Sequence, residues 1–148
     1  MRQFIYCLRF QGETRATDPT GTILKAAAQA PSCQIRTLID LHGVESKLEP
    51  LPGKDAVFES EVACSHDGSF LESGAISFGN GHRIHFSTVG RGRLDASPDS
   101  RFRQGAVVWK VDRGEGQFEG AQGFITSNFL LGENGEVADN HFGVLFLQ

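Results

Sequence analysis

The sequence predicts an all-β fold: a single antiparallel up-and-down β-barrel of about eight strands with little helix. Apolar and polar residues alternate with a period of two through most of the chain, as in strands that bury one face. Asp-Gly or Asn-Gly turns separate the later runs at residues 66–68, 79–81 and 133–135, where we expect type I′ hairpins. Strands that recur at short intervals without long helices between them are typical of a barrel or sandwich.

The strands follow one another from the N-terminus. In the first, Phe4, Tyr6, Leu8 and Phe10 share one face. The segment "ILKAAAQA" at residues 23–30 has a helix-forming composition but also alternates, so we predict a strand and keep a short helix as the alternative. Further alternating runs occupy residues 32–40, 56–64, 82–89, 106–112 and 136–148.

Length and composition limit the class of protein. With 148 residues, the chain is predicted to be one domain, residues 1–148, and its 12 phenylalanines supply large core side chains. The net charge of −4 and the lack of a basic cluster exclude nucleic acid as an expected partner. Three cysteines without paired spacing favour a reducing compartment, and no signal peptide or membrane-spanning run is visible. We therefore expect a cytoplasmic protein with no membrane partner.

The glycine-rich segment "GEGQFEGAQGFITSNF" at residues 114–129 has two interpretations. A dinucleotide fingerprint needs glycine at its sixth position and a helix after it, but the sixth residue is Glu119 and a β-branched run follows. We therefore expect no nucleotide cofactor. The alternative is a strand reversal in which Phe118 is a core plug and the glycines permit tight turns. No metal site is expected either, because His82 and His85 would point to opposite faces of a strand.

This segment and the terminal strand "HFGVLFLQ" resemble the end of allene oxide cyclases and of the related dirigent proteins. The shared signature is Gly-x-Gly-x-Phe-x-x-Ala-x-Gly, carried here by Gly114, Gly116, Phe118, Ala121 and Gly123. The resemblance lies mainly in residues 102–148. It implies an eight-stranded, calycin-like barrel that often forms homo-oligomers. Because the signature is structural, the resemblance concerns the fold and identifies no catalytic residues.

Candidate ligand-binding residues are scattered over several strands: Tyr6, Arg83, His85, Asn128 and His141. Arg83 and His85 share one strand face, which binds an anionic or carbonyl ligand if it points inward and makes surface contacts if it points outward. Asp139 and His141 also share a face, but such a pair is more often solvated and opposite core residues, here Phe142 and Phe146.

Two functions remain open from the sequence. The first is a barrel that binds a hydrophobic small molecule, with isomerase or cyclase activity through the shape of its cavity and without a cofactor. The alternative is a non-catalytic binding barrel or an oligomeric structural protein. Apolar residues on both faces of some strands, such as Val107, Val108 and Trp109, predict a homo-oligomer, dimer or trimer.

Overall fold

The protein is described by a computed structural model that covers residues 1–148. It contains eleven strands and one short 3-10 turn. The strands are β1 (Arg2–Ala16), β2 (Ile23–Ala30), β3 (Cys33–Asp40), β4 (Gly43–Pro50), β5 (Ala56–Cys64), β6 (Ser69–Ser77), β7 (Arg83–Thr88), β8 (Gly92–Ala96), β9 (Phe102–Glu115), β10 (Gln122–Gly132) and β11 (Glu136–Leu147). The 3-10 turn is Gly116–Phe118. No helix in the chain has the length and apolar composition needed to cross a membrane.

Eight of the strands form a closed antiparallel barrel. They run in the order β1, β2, β5, β6, β7, β9, β10 and β11, and β11 pairs with β1 to close the ring. Each strand of the ring pairs with the next one of the series, which confirms the predicted up-and-down barrel. The short strand β8 bridges β6 and β9 beyond the end of β7.

The alternation within the strands determines which side chains enter the barrel. Phe10 is fully buried and its neighbours Phe4, Tyr6 and Leu8 pack against the core, as the period of β1 predicts. Residues 23–30 form a strand, which settles the choice between strand and helix: Ala26, Ala28 and Ala30 are buried while Lys25 and Gln29 are exposed.

The predicted type I′ turns are wrong. Type I′ needs a positive φ at both central residues, and no residue other than glycine has a positive φ in this structure. At residues 65–68 the backbone N–H of Gly68 donates to the carbonyl of Ser65, and only Gly68 is left-handed, with a φ of 85°. The hairpins keep their predicted positions because glycines with positive φ reverse the chain in each loop: Gly68 in the first, Gly79 and Gly81 in the second, and Gly135 in the third.

Aromatic rings fill the middle of the barrel. Trp109, Phe86 and Phe58 contact one another: the ring centroids of Phe86 and Phe58 lie 4.3 and 5.6 Å from that of Trp109 and 5.6 Å from each other. At three places a ring lies over a glycine directly opposite it on the next strand, and a Cβ on that glycine would overlap the ring. The pairs are Tyr6 with Gly143, Phe70 with Gly92, and Phe129 with Gly105. The absence of a side chain at these glycines therefore makes room for the facing aromatic rings.

One end of the barrel is closed by the glycine-rich signature; we call it the plugged end. Phe118 is fully buried there, with its ring 5.5 Å from that of Phe4 and 5.1 Å from that of Phe78. Gly116 has a φ of 65°, which allows the chain to reverse after β9. Gly123 has a φ of 139° and lies so close to β11 that a Cβ would overlap the carbonyl of Val144. The signature therefore builds the plug, as predicted.

The hairpin of β3 and β4 stands outside the barrel. These two strands pair only with each other, and nearly all of their residues are exposed. We call residues 33–50 the arm. Alternation predicted β3 at residues 32–40, but β4 was not predicted, and a local pattern does not reveal whether a hairpin joins the ring or projects from it.

Candidate functional site

A cluster of polar side chains lies inside the barrel, on strands that otherwise point apolar residues inward. Its members are Ser60, Glu72, Ser127, Asp139 and His141, all buried. Glu72 takes the inward position between Phe70 and Ile76 on β6, and Asp139 and His141 take successive inward positions on β11. Burying a polar group costs free energy unless the group forms hydrogen bonds. The hydrogen bonds of each member therefore bear on what the cluster can do chemically.

Asp139 is the centre of one half of the cluster. Its carboxylate accepts a hydrogen bond from Ser127 Oγ at 2.6 Å and pairs with His141 Nε2 at 2.8 Å. The imidazole of His141 is enclosed by aromatic rings, with centroid distances of 4.4 Å to Phe10 and 4.9 Å to Trp109. Its other nitrogen, Nδ1, is buried and has no hydrogen-bond partner. The carboxylate therefore fixes the orientation of a histidine that is isolated from water.

Glu72 forms the other half. Its side chain accepts a hydrogen bond from Ser60 Oγ at 2.6 Å. Burial raises the pKa of Glu72 to about 8 against the opposing effect of the Ser60 hydrogen bond, and the negative charge of Asp139 raises it further. The Trp109 N–H lies near enough to lower this pKa, although it completes no normal hydrogen bond. At neutral pH, Glu72 is therefore a neutral carboxylic acid that can donate a proton or a hydrogen bond.

A small cavity connects Glu72 and Asp139 with the barrel end opposite the plug, which we call the acidic end. Its free volume is about 50 Å³. Apart from Thr14 and the two carboxyl groups, its walls are apolar: Leu24, Ala26, Ala28, Phe58, Val62, Cys64, Phe70, Leu94, Phe129, Leu131 and Val137. A water molecule needs roughly 10–15 Å³, and a site for a drug-sized ligand has about 300–1,000 Å³. The cavity is therefore large enough for a few water molecules or for a small part of a ligand, and not for a whole drug-sized molecule.

The structure brings two of the five sequence-predicted ligand residues into the barrel. His141 belongs to the polar cluster. Tyr6 points inward near the plugged end, where its hydroxyl is buried without a partner and its ring lies 5.2 Å from that of Phe78. Burial holds the pKa of Tyr6 well above its usual range, and the charge of Asp139 adds to this.

The other three predicted residues lie on the outside of the barrel. Asn128 is exposed on β10. Arg83 and His85 point away from the core residues Ile84 and Phe86, and His85 Nε2 pairs with Glu115 at 2.9 Å. This hydrogen bond is the main reason that the pKa of Glu115 lies below its usual value. These residues do not share a site with Tyr6 and His141.

The last strand turns the opposite face inward from the one predicted. Asp139 and His141 are buried, whereas Phe142 and Phe146 are exposed. Glu72 was not among the predicted site residues. One signal existed: Phe70 and Ile76 have the same parity as Glu72 in the run "SFLESGAIS", so alternation alone would have placed the carboxyl group inside the barrel.

Cysteines and metal ligands add no second site. All three cysteines are free, and burial raises the pKa of the Cys7 and Cys64 thiols, which makes them poor nucleophiles. No group of three or more His, Cys, Asp or Glu side chains is arranged to hold a metal ion.

Comparison of the chain with protein-family models, with curated proteins and with solved structures finds no match. The resemblance to allene oxide cyclases and dirigent proteins therefore depends on the signature in residues 102–148 alone and stays a prediction.

Proposed function

We propose that the barrel binds a small hydrophobic molecule at the acidic end and that Glu72 donates a hydrogen bond to an oxygen of this molecule. One observation carries the proposal: a neutral, buried carboxylic acid faces an otherwise apolar cavity. Apolar walls favour a hydrophobic ligand, and the polar floor selects one with a carbonyl, ether or epoxide oxygen. Such a ligand is also what the resemblance to allene oxide cyclases implies.

The same arrangement supports isomerase or cyclase activity. A carboxylic acid with a pKa of about 8 polarises an oxygen without being consumed, and it acts as a general acid near neutral pH. The walls of the cavity restrict the conformation of the bound molecule, which lowers the entropy cost of ring closure or rearrangement. No metal or nucleotide takes part in this proposal, and a reducing, cytoplasmic location is in keeping with the three free cysteines.

The test uses Trp109, the only tryptophan of the chain, which lies beside Glu72. Native mass spectrometry of the purified protein should reveal a bound hydrophobic compound, and adding such compounds with a carbonyl group should change the Trp109 fluorescence. Affinity should fall above pH 8 in the wild type, because Glu72 then loses its proton, and should stay constant in Glu72→Gln. Glu61→Gln, on the outer face of β5, is the matched control.

A second candidate, a non-catalytic barrel without a ligand, is favoured by the small free volume of about 50 Å³. Here Glu72 and Asp139 would face only a few water molecules. Compounds that bind the folded state raise its melting temperature by mass action. If a panel of hydrophobic carbonyl compounds changes neither the melting temperature nor the Trp109 fluorescence, the ligand proposal is wrong and the second candidate stands.

A further inference from the structure

The arm has one apolar and one polar face. Antiparallel register places Ile35 opposite Leu48 and Ile39 opposite Val44, so these four side chains share a face. All four are exposed, Ile39 at 76% and Val44 at 68%. A two-stranded hairpin is marginally stable in water by itself. An arm with an uncovered apolar face therefore requires a surface to pack on.

The opposite face of the arm is suited to solvent. Arg36 pairs with Glu49 at 2.8 Å, and Lys47 approaches the same carboxylate at 3.6 Å. Polar and charged residues hold most positions of this face, and Leu38 is its one large apolar side chain. Apart from Leu38, the large apolar side chains of the two strands are therefore confined to one face of the arm.

The barrel presents a second uncovered apolar surface on β1, β10 and β11, which we call the outer patch. Val144 lies directly between Ile5 on β1 and Phe124 on β10, and Phe142 and Phe146 flank it on the same face of β11. Phe124 is 57% exposed, Phe142 46% and Phe146 40%. Three half-exposed phenylalanines present roughly 300 Å² of apolar area.

The two surfaces meet at the root of the arm. Cys33, on the apolar face of the arm, has its Sγ 3.9 Å from the carbonyl of Cys7, and Cys7 lies opposite Phe142. A largely apolar groove of about 380 Å³ at this corner is lined by Ile5, Cys33 and Leu51 together with core-facing side chains such as Tyr6. The apolar face of the arm and the outer patch therefore approach each other at the root of the arm.

We propose that the apolar face of the arm packs on the outer patch of a second copy of this chain, and that the exchange is reciprocal. Each copy contributes one arm and one patch, so a two-fold dimer uses both surfaces twice. With a similar area on the arm, the exchange removes roughly 1,200 Å² from water, which is the size of a specific interface. Strands of eight residues span roughly 26 Å, enough to cross a neighbouring barrel.

Charge favours a protein partner over a membrane. The arm carries two basic residues, Arg36 and Lys47, and three acidic ones, Asp40, Glu45 and Glu49. An anionic bilayer attracts clusters of Lys and Arg and does not attract an arm with a net negative charge. The inference does not depend on the proposed ligand, because both surfaces lie outside the barrel.

The first test compares Ile39→Asp with Leu38→Asp by sedimentation. These neighbours lie at the same depth of the arm but on opposite faces, and both are exposed, so neither change should unfold the barrel. The wild type should sediment as a dimer at micromolar concentration. Ile39→Asp should raise the dimer dissociation constant about a hundredfold or more, since two arms lose a buried isoleucine, while Leu38→Asp should leave it within a few-fold.

The second test shows whether the arm contacts the patch. Ile39→Asp and Phe124→Asp should each be monomeric alone, because every arm–patch contact in such a dimer carries a charge. Mixed together at high concentration, they should form a heterodimer that is weaker than the wild-type dimer, because only one of its two arm–patch contacts is intact. The control is Ile39→Asp alone at the same total concentration, which should stay monomeric.

Three outcomes would overturn the proposal. One is a monomeric wild type at 50–100 µM concentration, roughly the upper range of a useful affinity. Another is a mixture that associates no more than either variant alone at the same high concentration, which would mean that the arm and the patch do not meet. The last is a monomeric chain whose arm binds phosphatidylcholine–phosphatidylglycerol vesicles and loses this binding in Ile39→Asp, which would assign the arm to membranes.

Discussion

Replacing Glu72 by glutamine should change how the stability of the barrel depends on pH. The folded state binds the Glu72 proton with a pKa of about 8, while the ordinary value is 4.5. Between these two values the folded chain holds a proton that the unfolded chain has released, so a rise in pH favours unfolding. The stability contributed by the protonated form is complete below pH 4.5 and is lost as the pH rises to about 8.

The size of the effect follows from the same values. One pH unit within this window corresponds to about 1.4 kcal/mol for one proton. Between pH 5.5 and 7.5 the Glu72 contribution to the free energy of unfolding should therefore fall by roughly 2–3 kcal/mol. Glutamine has nearly the same shape and no proton to lose, so the variant should gain this amount relative to the wild type over that range.

Urea unfolding followed by Trp109 fluorescence, at one protein concentration and at pH 5.5, 6.5 and 7.5, measures the difference. Comparison with the wild type cancels the contribution of groups outside the cluster, and Glu61→Gln should follow the wild-type curve. If the free energy of unfolding depended on pH in the same way for Glu72→Gln and the wild type, the assignment of Glu72 as a neutral acid would be refuted.

In addition, Ser60→Ala should raise the pKa of Glu72 in a carboxyl titration by NMR, because it removes the hydrogen bond that lowers this pKa.

The remaining predictions concern packing. Phe118→Ala should destabilise the barrel by about 3–5 kcal/mol, since it empties the plugged end; calorimetry should show little change for the exposed neighbour Gln117→Ala, and equal melting temperatures would contradict the role of the plug. Gly143→Ala should lower the midpoint of urea unfolding because the new methyl group would overlap the Tyr6 ring, and an unchanged midpoint would mean that this ring moves freely.

Much of the fold was predictable because each barrel strand buries one face, so alternation identifies strands and their inner residues. β1 and β2 are examples, with Phe10 and Ala28 inside the barrel. The last strand was not predictable in this way, because it carries apolar residues on both faces: Leu145 inside, and Phe142 outside. Where both faces of a strand are apolar, alternation does not show which face turns inward, and only the pairing with the rest of the barrel determines this.

The site was less predictable for a related reason. The raised pKa of Glu72 comes mainly from its burial inside the barrel; the charge of Asp139 on β11 adds to it, and the hydrogen bond from Ser60 on β5 opposes it. These three residues are brought together by the barrel and not by any spacing along the chain. Residue type alone favoured Arg83 and His85 as ligand-binding residues, although both lie outside the barrel. It did not single out Glu72, because one glutamate among many gives no signal of function.

Closure of the ring by β1 and β11 has a consequence for how the protein folds. Arg2 lies opposite Leu147, so the pairing joins segments at opposite ends of the sequence. During synthesis, β1 emerges before the other ten strands, and its second neighbour in the ring, β11, is the last of the eleven to be made. Contacts over such distances form slowly, and an unpaired strand edge invites wrong partners in the meantime. We therefore expect slow folding and a stage in which an open sheet, with Phe10 and Tyr6 uncovered, depends on chaperones to avoid aggregation.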